Sequence, residues 1–217
     1  MFHRARALFF VVLVVLPVAR SQPASVDIPG APIAIRILAQ SPAETRTELQ
    51  VICLFRSEPM NTLHGSLAEA NEKMKGLLER VRKPDLFRGE LGETLLIAPP
   101  KDSLAARELL VIGLGDSQSF TPQRMQLVGE IVYAEAGRLG VAHPYFAPTV
   151  LDGGVTGFAT GDVAEQVVGG FLRAVAIDKL LQNDKHAVTQ LTFLAGAKNV
   201  TSTREGIEKA IGAAARN

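Results

Sequence analysis

Short apolar runs alternate along this chain with longer segments in which apolar residues recur every three or four positions. The run 109–112 is apolar throughout, and Gly113 and Gly115 punctuate its end. An uninterrupted run of this length predicts a strand buried on both faces, as in the centre of an α/β sheet. Further strands are predicted at 33–38, 48–55, 93–98, 141–147 and 188–195.

The segments between these strands have the period of amphipathic helices. Apolar residues spaced by three and four predict helices at 66–82, 122–140, 162–181 and 202–214. Thr121 is a candidate N-cap, and Ser202 with Glu205 has the spacing of a capping box. Pro144 predicts that its strand lies at a sheet edge or is irregular. The alternation predicts an α/β fold, with a mixed sheet of about six strands and helices on both faces.

The amino terminus has a different composition. Arg4 and Arg6 precede an apolar run, and small residues at Ala19 and Ser21 are spaced as signal peptidase requires. The run is shorter than the roughly 20 residues of a spanning helix. We therefore expect a cleaved signal peptide at 1–21 and a periplasmic or secreted protein, with an uncleaved anchor as the alternative. Residues 22–32 are predicted to be a flexible leader, and residues 33–217 a single domain.

Charge and cysteine content restrict the partners. The formal net charge is +1, and the signal region carries basic but no acidic residues, so cleavage leaves a nearly neutral chain. This balance predicts no nucleic-acid partner and, after cleavage, no membrane partner. Cys53 is the only cysteine and has apolar neighbours, which excludes an intramolecular disulfide and predicts a buried, inert thiol.

The first candidate ligand site is the turn after the run 109–112. Its candidate residues are Gly113, Gly115 and Asp116. Ligands bind at the carboxyl ends of such strands, and glycine lets backbone N–H groups approach them closely. The third glycine of the dinucleotide fingerprint is missing, so a tight exit from a buried strand is the alternative interpretation.

The second candidate site is the glycine-rich loop before the helix at 162–181. Its N–H groups could meet an anion at the positive end of the helix dipole. Alternatively, the glycines let helix and sheet pack closely, and Thr160 or Asp162 caps the helix. The candidate residues of this loop are Asp152, Gly153, Gly154 and Gly157.

The usual catalytic signatures are missing from the sequence. His64, His143 and His186 are not flanked as catalytic bases, and no nucleophile elbow, zinc spacing or phosphate-binding loop occurs. We therefore predict no catalytic residues, no metal ligands and no cofactor. Asp116 and Asp152 could act as acid, base or magnesium ligand if the fold gathered them, but aspartates beside glycine more often form turns.

The middle of the chain resembles a known family. The segment 86–93 (LFRGELGE), the strand that follows it and the stretch 109–115 (LLVIGLG) are similar to the amino-terminal domain of the M17 leucyl aminopeptidases. The helices at 122–139 and after Thr160 follow in the family's order. The resemblance covers 48–181 and implies a macrodomain-like three-layer fold.

The same resemblance guides the functional expectation. Complete M17 enzymes bind metals in a carboxyl-terminal domain with an Asn-Thr-Asp-Ala-Glu-Gly-Arg signature, which this chain lacks. We expect a non-catalytic module for binding or assembly, whose partner is another copy or another protein. One alternative is a macrodomain-like protein that binds ADP-ribose or another phosphorylated ligand, with Gly153, Gly154 and Gly157 as its loop. The other is an accessory part of a metal-dependent aminopeptidase.

Overall fold

A computed structural model describes residues 23–57, 62–82, 86–182 and 188–216. The signal peptide predicted at 1–21 lies outside these residues. The strands are β1 (Ser25–Ile28), β2 (Ala34–Leu38), β3 (Leu49–Leu54), β4 (Thr94–Ile97), β5 (Glu108–Gly113), β6 (Tyr145–Ala147) and β7 (Gln190–Leu194). The helices are α1 (Gly65–Lys73), α2 (Leu77–Val81), α3 (Met125–Arg138), α4 (Thr160–Leu180) and α5 (Val200–Ala214).

The strands form one mixed sheet in the order β1-β2-β7-β6-β3-β5-β4. The inner strands are parallel, and β1 and β4 pair antiparallel at the two edges. One face of the sheet packs against α1 and α2, and the other against α3, α4 and α5. The predicted α/β class and three-layer arrangement are confirmed, with seven strands in the described residues instead of about six.

The additional strand lies in the predicted leader. Residues 25–28 pair with β2, in a register that sets Ser25 opposite Leu38 and Ile28 opposite Ile35. Ile28 is buried, and the Asp27 carboxylate accepts a hydrogen bond from Arg36. The prediction of a flexible leader is therefore wrong at these residues, because the Val26 and Ile28 alternation is too short to be recognised without its partner strand.

Pro144 does not place β6 at an edge of the sheet. The strand begins at Tyr145, one residue after the proline, and lies between β7 and β3. The missing proline N–H is therefore not needed in the ladder, while the Pro144 carbonyl still accepts a hydrogen bond from Thr192. The edge alternative is wrong because the proline stands just outside the strand. The irregular alternative holds for residues 141–144, which precede the strand.

The helix predicted at 66–82 is divided into α1 and α2. Lys75 and Gly76 between them have φ values of 54° and 77°, which are in the left-handed region. The apolar residues still reach one core, because Leu67, Ala70, Met74 and Leu78 are all buried against the same sheet face. The periodicity therefore indicates the buried face and not the continuity of the helix.

Glycines bring α3, α4 and α5 into close contact. A Cβ atom built on Gly129 would lie 2.0 Å from the carbonyl oxygen of Val167, and one on Gly170 would lie 1.9 Å from that of Gln126. A Cβ on Gly206 would lie 2.0 Å from the carbonyl oxygen of Gly161. Backbone therefore meets backbone where these helices cross, and any side chain at those positions would separate them.

Candidate functional site

A cleft of about 560 Å³ opens at the carboxyl ends of β2, β6 and β7. These strands are parallel, so their ends lie at one edge of the sheet. The walls come from segments 39–42, 147–152 and 194–199 and from the starts of α1 and α4. The volume is within the range of about 300–1,000 Å³ that is usual for small-molecule sites.

The lining of the cleft combines apolar and polar side chains. Buried Phe193 and Val163 lie in its wall together with partly buried Phe158. Lys198 is the one Lys or Arg in the described wall, and its side chain makes no ion pair or hydrogen bond with any described residue. The other polar side chains in the wall are Gln40, Ser41, Ser66, Glu69, Thr149, Asp152, Thr160, Asn199 and Thr203.

Two of the wall segments contain backbone donors without acceptors. The amide N–H groups of Val150, Leu151 and Asp152 donate no hydrogen bond to any residue that the structure describes. The same holds, within the described ranges, for the amides of residues 196–198. Runs of unpaired backbone N–H groups form anion-binding concavities, so these segments can stabilise a bound negative charge.

Thr149 connects the loop after β6 to β3. Its hydroxyl donates a hydrogen bond to the Cys53 carbonyl oxygen (2.7 Å) and accepts one from the Cys53 N–H (2.9 Å). Thr149 is buried with a φ of 50°, which is unusual for a β-branched residue. Burial also raises the pKa of the Cys53 thiol, as expected of an inert cysteine.

Asp152 connects the other end of this loop to the start of α1. Its Oδ2 atom accepts hydrogen bonds from the Ser66 N–H (3.2 Å) and from the Ser66 hydroxyl. Its backbone carbonyl oxygen accepts a third hydrogen bond from the His64 N–H (2.8 Å). His64 is the N-cap of α1 but makes no side-chain capping bond, so the Asp152 carboxylate occupies the positive end of that helix.

Glu69 on α1 is the second carboxylate in the wall. Its Oε2 atom accepts a hydrogen bond from the Ser41 hydroxyl (2.6 Å), and its Oε1 atom lies 3.0 Å from the Lys73 ammonium nitrogen. Desolvation raises the pKa of the carboxyl, but the hydrogen bonds from Ser41 and Lys73 outweigh it and lower the pKa below its usual value. Glu69 is therefore ionised at neutral pH and can accept hydrogen bonds from a ligand.

Three of the N–H groups at the start of α4, where an anion site was one of the two interpretations, are paired within the protein. The Gly161 N–H donates to the Ser202 hydroxyl (3.0 Å), and those of Asp162 and Val163 donate to the Ala159 carbonyl oxygen. These donors are already satisfied. Thr160 and Asp162 make no side-chain capping bond, because Ser202 of α5 supplies the acceptor across the helix contact. Ser202 therefore caps α4 and does not form the predicted capping box of its own helix.

The first candidate turn packs against its own chain and does not line the cleft. A Cβ on Gly113 would lie 2.0 Å from the Glu90 carbonyl oxygen. Gly115 has a φ of 75° and donates its N–H to Gly89 (2.8 Å). Asp116 accepts a hydrogen bond from the Gln118 N–H (2.8 Å), as in an Asx turn. Among the described contacts, segment 89–92 fills the space beside this turn.

The glycines of the second loop lie behind or beside the cleft. Gly153 packs against Phe55, since a Cβ there would lie 2.6 Å from the ring. Gly154 has a φ of 90°, and a Cβ on Gly154 or Gly157 would meet nothing within 4 Å. Of the predicted ligand residues, only Asp152 lines the cleft. The two candidate turns lie on either side of the segment after β3, and they do not meet in the cleft.

Several residues of the wall were not predicted from the sequence. Thr149, Glu69 and Lys198 come from a loop, the face of a helix and the loop after the last strand, and none stands beside a glycine-rich motif. The usable signal was topological. Ligands bind at the carboxyl ends of parallel strands, so each segment that follows a predicted strand was a candidate.

The described ranges contain no group of three or more His, Cys, Asp or Glu side chains that could hold a metal ion. No helix in them has both the length and the apolar composition needed to cross a membrane.

The fold has relatives among macrodomains and aminopeptidases of known structure. An Oceanobacillus iheyensis macrodomain with ADP matches at a TM-score of 0.61 and 16% identity, covering 89% of this chain and 100% of that chain. A Trypanosoma brucei macrodomain in complex with ADP matches at 0.55 and 17%, covering 80% and 68%. A tomato leucine aminopeptidase mutant matches at 0.57 and 17%, covering 90% and 38%. At these identities the similarity shows the fold alone.

Sequence comparison identifies the family. A probable cytosol aminopeptidase of Roseiflexus castenholzii is 28% identical over 183 residues, which cover 84% of this chain and 34% of that protein. The chain therefore spans about a third of the length of this curated relative. The model of the cytosol aminopeptidase family, N-terminal domain, matches residues 51–175, more than half of the chain. The chain belongs to the cytosol aminopeptidase family, which it matches through the family's N-terminal domain.

Proposed function

We propose that this domain is a non-catalytic module that binds a small phosphorylated ligand of nucleotide size in the cleft. The observation that carries the proposal is that residues 150–152, whose amides have no acceptor in the described part of the chain, line the same cleft as Lys198. Such a wall is suited to a phosphate. The two macrodomains whose structures contain ADP have the same fold, which supports this ligand class.

The remaining wall suits the rest of a nucleotide. The Glu69 carboxylate, fixed by Ser41 and Lys73, can accept hydrogen bonds from sugar hydroxyls. Partly buried Phe158 provides apolar surface for a ring. Lys198 lies just before the start of α5, where a cation opposes the helix dipole. A bound anion would offset that unfavourable position.

Binding can be tested by calorimetry and thermal unfolding with ADP-ribose, ADP, AMP and inorganic phosphate. A ligand that binds only the native state raises the melting temperature. We expect Lys198→Glu to weaken binding about tenfold or more, because attraction to the phosphate becomes repulsion. Lys209→Glu is the control, since Lys209 is exposed on α5, the helix that follows Lys198, and does not line the cleft. If none of these ligands changes the melting temperature of the wild type, the proposal is wrong.

The non-catalytic part of the proposal has its own assay. The purified chain, supplied with manganese or zinc, should not hydrolyse leucine amides. The motivation is that the described residues contain no group of three or more His, Cys, Asp or Glu side chains that could hold a metal ion, whereas M17 peptidase chemistry uses bound metals. Hydrolysis that a chelator abolishes would show that the chain is an active metallopeptidase.

An assembly role is the second candidate, favoured by exposed leucines and by an edge strand of the sheet. Leu91, Leu96 and Leu127 are 41%, 39% and 39% exposed, and Leu96 lies on β4, an edge strand of the described sheet. Open edge strands readily pair with another chain, and we propose a second copy of this domain. Sedimentation should show a dimer that Leu96→Lys dissociates. Leu180→Lys, on a separate exposed leucine of α4, should leave the dimer intact. A monomeric wild type would exclude this role.

Export remains part of the proposal on the sequence alone. Arg4, Arg6 and the apolar run after them have the order of a secretory signal. Residues 1–32 fused to a reporter that is active only outside the cytoplasm should therefore give activity. Replacing residues of the apolar run by charged ones should abolish it. A reporter that stays inactive with the intact signal would contradict export.

A further inference from the structure

We infer that Thr149 and Asp152 are positioning residues that pin the loop after β6 at both ends and hold its unpaired amides ready for an anion. The inference rests on the proposed function, because it explains how the binding wall is built. It changes the role of Asp152 from ligand contact to structural anchor.

The first pin is the Thr149 hydroxyl. It closes a ring of two hydrogen bonds with the Cys53 N–H and carbonyl oxygen, so one side chain satisfies both polar groups of a residue in the central sheet. This attachment holds Thr149 at a φ of 50°. Glycine would adopt that conformation at little cost, whereas threonine needs its surroundings to impose it. The presence of threonine therefore indicates that the hydroxyl contacts are what the position requires.

The second pin is the Asp152 carboxylate. Both of its recorded side-chain hydrogen bonds come from Ser66 at the start of α1, and its backbone oxygen accepts from His64. The negative charge of a carboxylate bonded in this way at a helix start is partly compensated by the helix dipole. It can therefore lie in the wall of an anion site with less repulsion than a free carboxylate would cause.

The hydrogen bonds that close the loop come from residues after Asp152. Gly153 donates to the Thr149 carbonyl oxygen (3.0 Å) and Val155 to that of Val150 (3.2 Å). The N–H groups of residues 150–152 have no acceptor in the described structure. A loop fixed at both ends keeps such donors in place before the ligand arrives, and pre-organisation of this kind lowers the entropic cost of binding.

The test replaces Thr149 by valine, which has the same shape and the same backbone restriction but no hydroxyl. Amide hydrogen exchange at Gly153 and Val155 reports the loop without any ligand, and calorimetry with ADP-ribose reports binding. We expect Thr149→Val to speed both exchange rates and to weaken binding about tenfold, the equivalent of one to two net hydrogen bonds. Thr149→Ser keeps the hydroxyl and should stay near the wild type in both measurements.

A second variant keeps the test decisive if Thr149→Val does not fold. Ser66→Ala removes the hydroxyl partner of Asp152 and should also speed exchange at Gly153 and Val155 and weaken binding. Unchanged exchange in the folded variants, or faster exchange with unchanged ADP-ribose affinity, overturns the inference. A wild type that binds no ADP-ribose counts against the proposed function instead, and the exchange rates then decide alone whether the pins exist.

Discussion

Each carboxylate in the wall of the cleft is paired with a serine from another part of the chain. Ser41 follows β2 and bonds to Glu69 of α1, and Ser66 begins α1 and bonds to Asp152 of the loop after β6. Hydrogen bonds to a charged group are the stronger kind and fix its direction. These two contacts therefore connect α1 to the segment after β2 and to the loop after β6, which both line the cleft. The apolar side of α1 packs on the sheet face that lies opposite α3, α4 and α5.

Glu69 gives a pH dependence of known sign. Its pKa is lower in the folded chain than in the unfolded one, so its contribution to the free energy of unfolding is present above the unfolded-state pKa and is lost as pH falls through the folded-state pKa. We expect the wild type to lose stability between about pH 5 and pH 3 more steeply than Glu69→Gln. Urea titrations across this range measure the difference.

Glu72 provides the control for that measurement. It lies on the same helix, is exposed, and its carboxylate makes no hydrogen bond or ion pair within the described residues. Glu72→Gln should therefore follow the wild-type pH dependence. Equal slopes for wild type and Glu69→Gln would mean that the Ser41 and Lys73 contacts do not stabilise the ionised form.

Single residues show where sequence reasoning about the site succeeds and fails. Asp152 was predicted because an aspartate beside glycines after a strand is a local pattern. Thr149 and Lys198 have no local pattern. Thr149 acts through Cys53, which is 96 residues away in the chain. Such a contact depends on strand order, and neither periodicity nor turn residues encode strand order.

At the scale of elements, the helical layer depends on a few glycines. Gly129, Gly170 and Gly206 each lie where a carbonyl oxygen of the neighbouring helix occupies the place of a Cβ. Glycine inside a helix costs stability relative to alanine, so its use here is compensated by close packing. We can therefore predict whether a side chain added at a glycine of this layer raises or lowers the stability of the fold.

Adjacent glycines of α4 should respond oppositely to alanine. Gly170→Ala would place a methyl 1.9 Å from the Gln126 carbonyl oxygen and should destabilise the fold by about 1–3 kcal/mol through overpacking. Gly169→Ala meets no atom within 4 Å and should stabilise it by about 0.5–1 kcal/mol through helix propensity. Chemical denaturation of both variants measures the pair. If both changes had the same sign, the close helix contact would be refuted.

Elements also differed in how well the sequence predicted them. Three elements were predicted within a few residues: the strands at 49–54 and 108–113 and the helix at 160–180. A long apolar pattern indicates its element whatever the element packs against. The break between α1 and α2 was not predicted, because a lysine such as Lys75 does not indicate a left-handed backbone conformation. β1 was missed because its four residues become a strand only when paired with β2.

At the scale of the whole molecule, Cys53 reports on global unfolding. It is 1% exposed in a central strand, and burial raises the pKa of its thiol. A chromogenic disulfide reagent should therefore label native protein only as fast as the sheet opens, and labelling should accelerate with urea in parallel with unfolding. Labelling within seconds in the absence of urea would contradict this packing.

An added surface cysteine controls for the chemistry of the reagent. Ala105 is exposed in the segment between β4 and β5. In Ala105→Cys, the new thiol should react at once while Cys53 stays protected. Slow reaction at both positions would show that the reagent, and not burial, limits the rate.

The sequence by itself determined the fold class, most of the helical and strand segments and the buried cysteine, because these follow from composition and from contacts between near neighbours. The family followed from similarity to known sequences. Only the tertiary structure decided that the loop at 150–152 and Lys198 share a cleft while Gly113, Gly115 and Asp116 pack against their own chain. The physical reason is that a binding site depends on the order of strands in the sheet. That order is the outcome of packing the whole chain, and no local pattern specifies it.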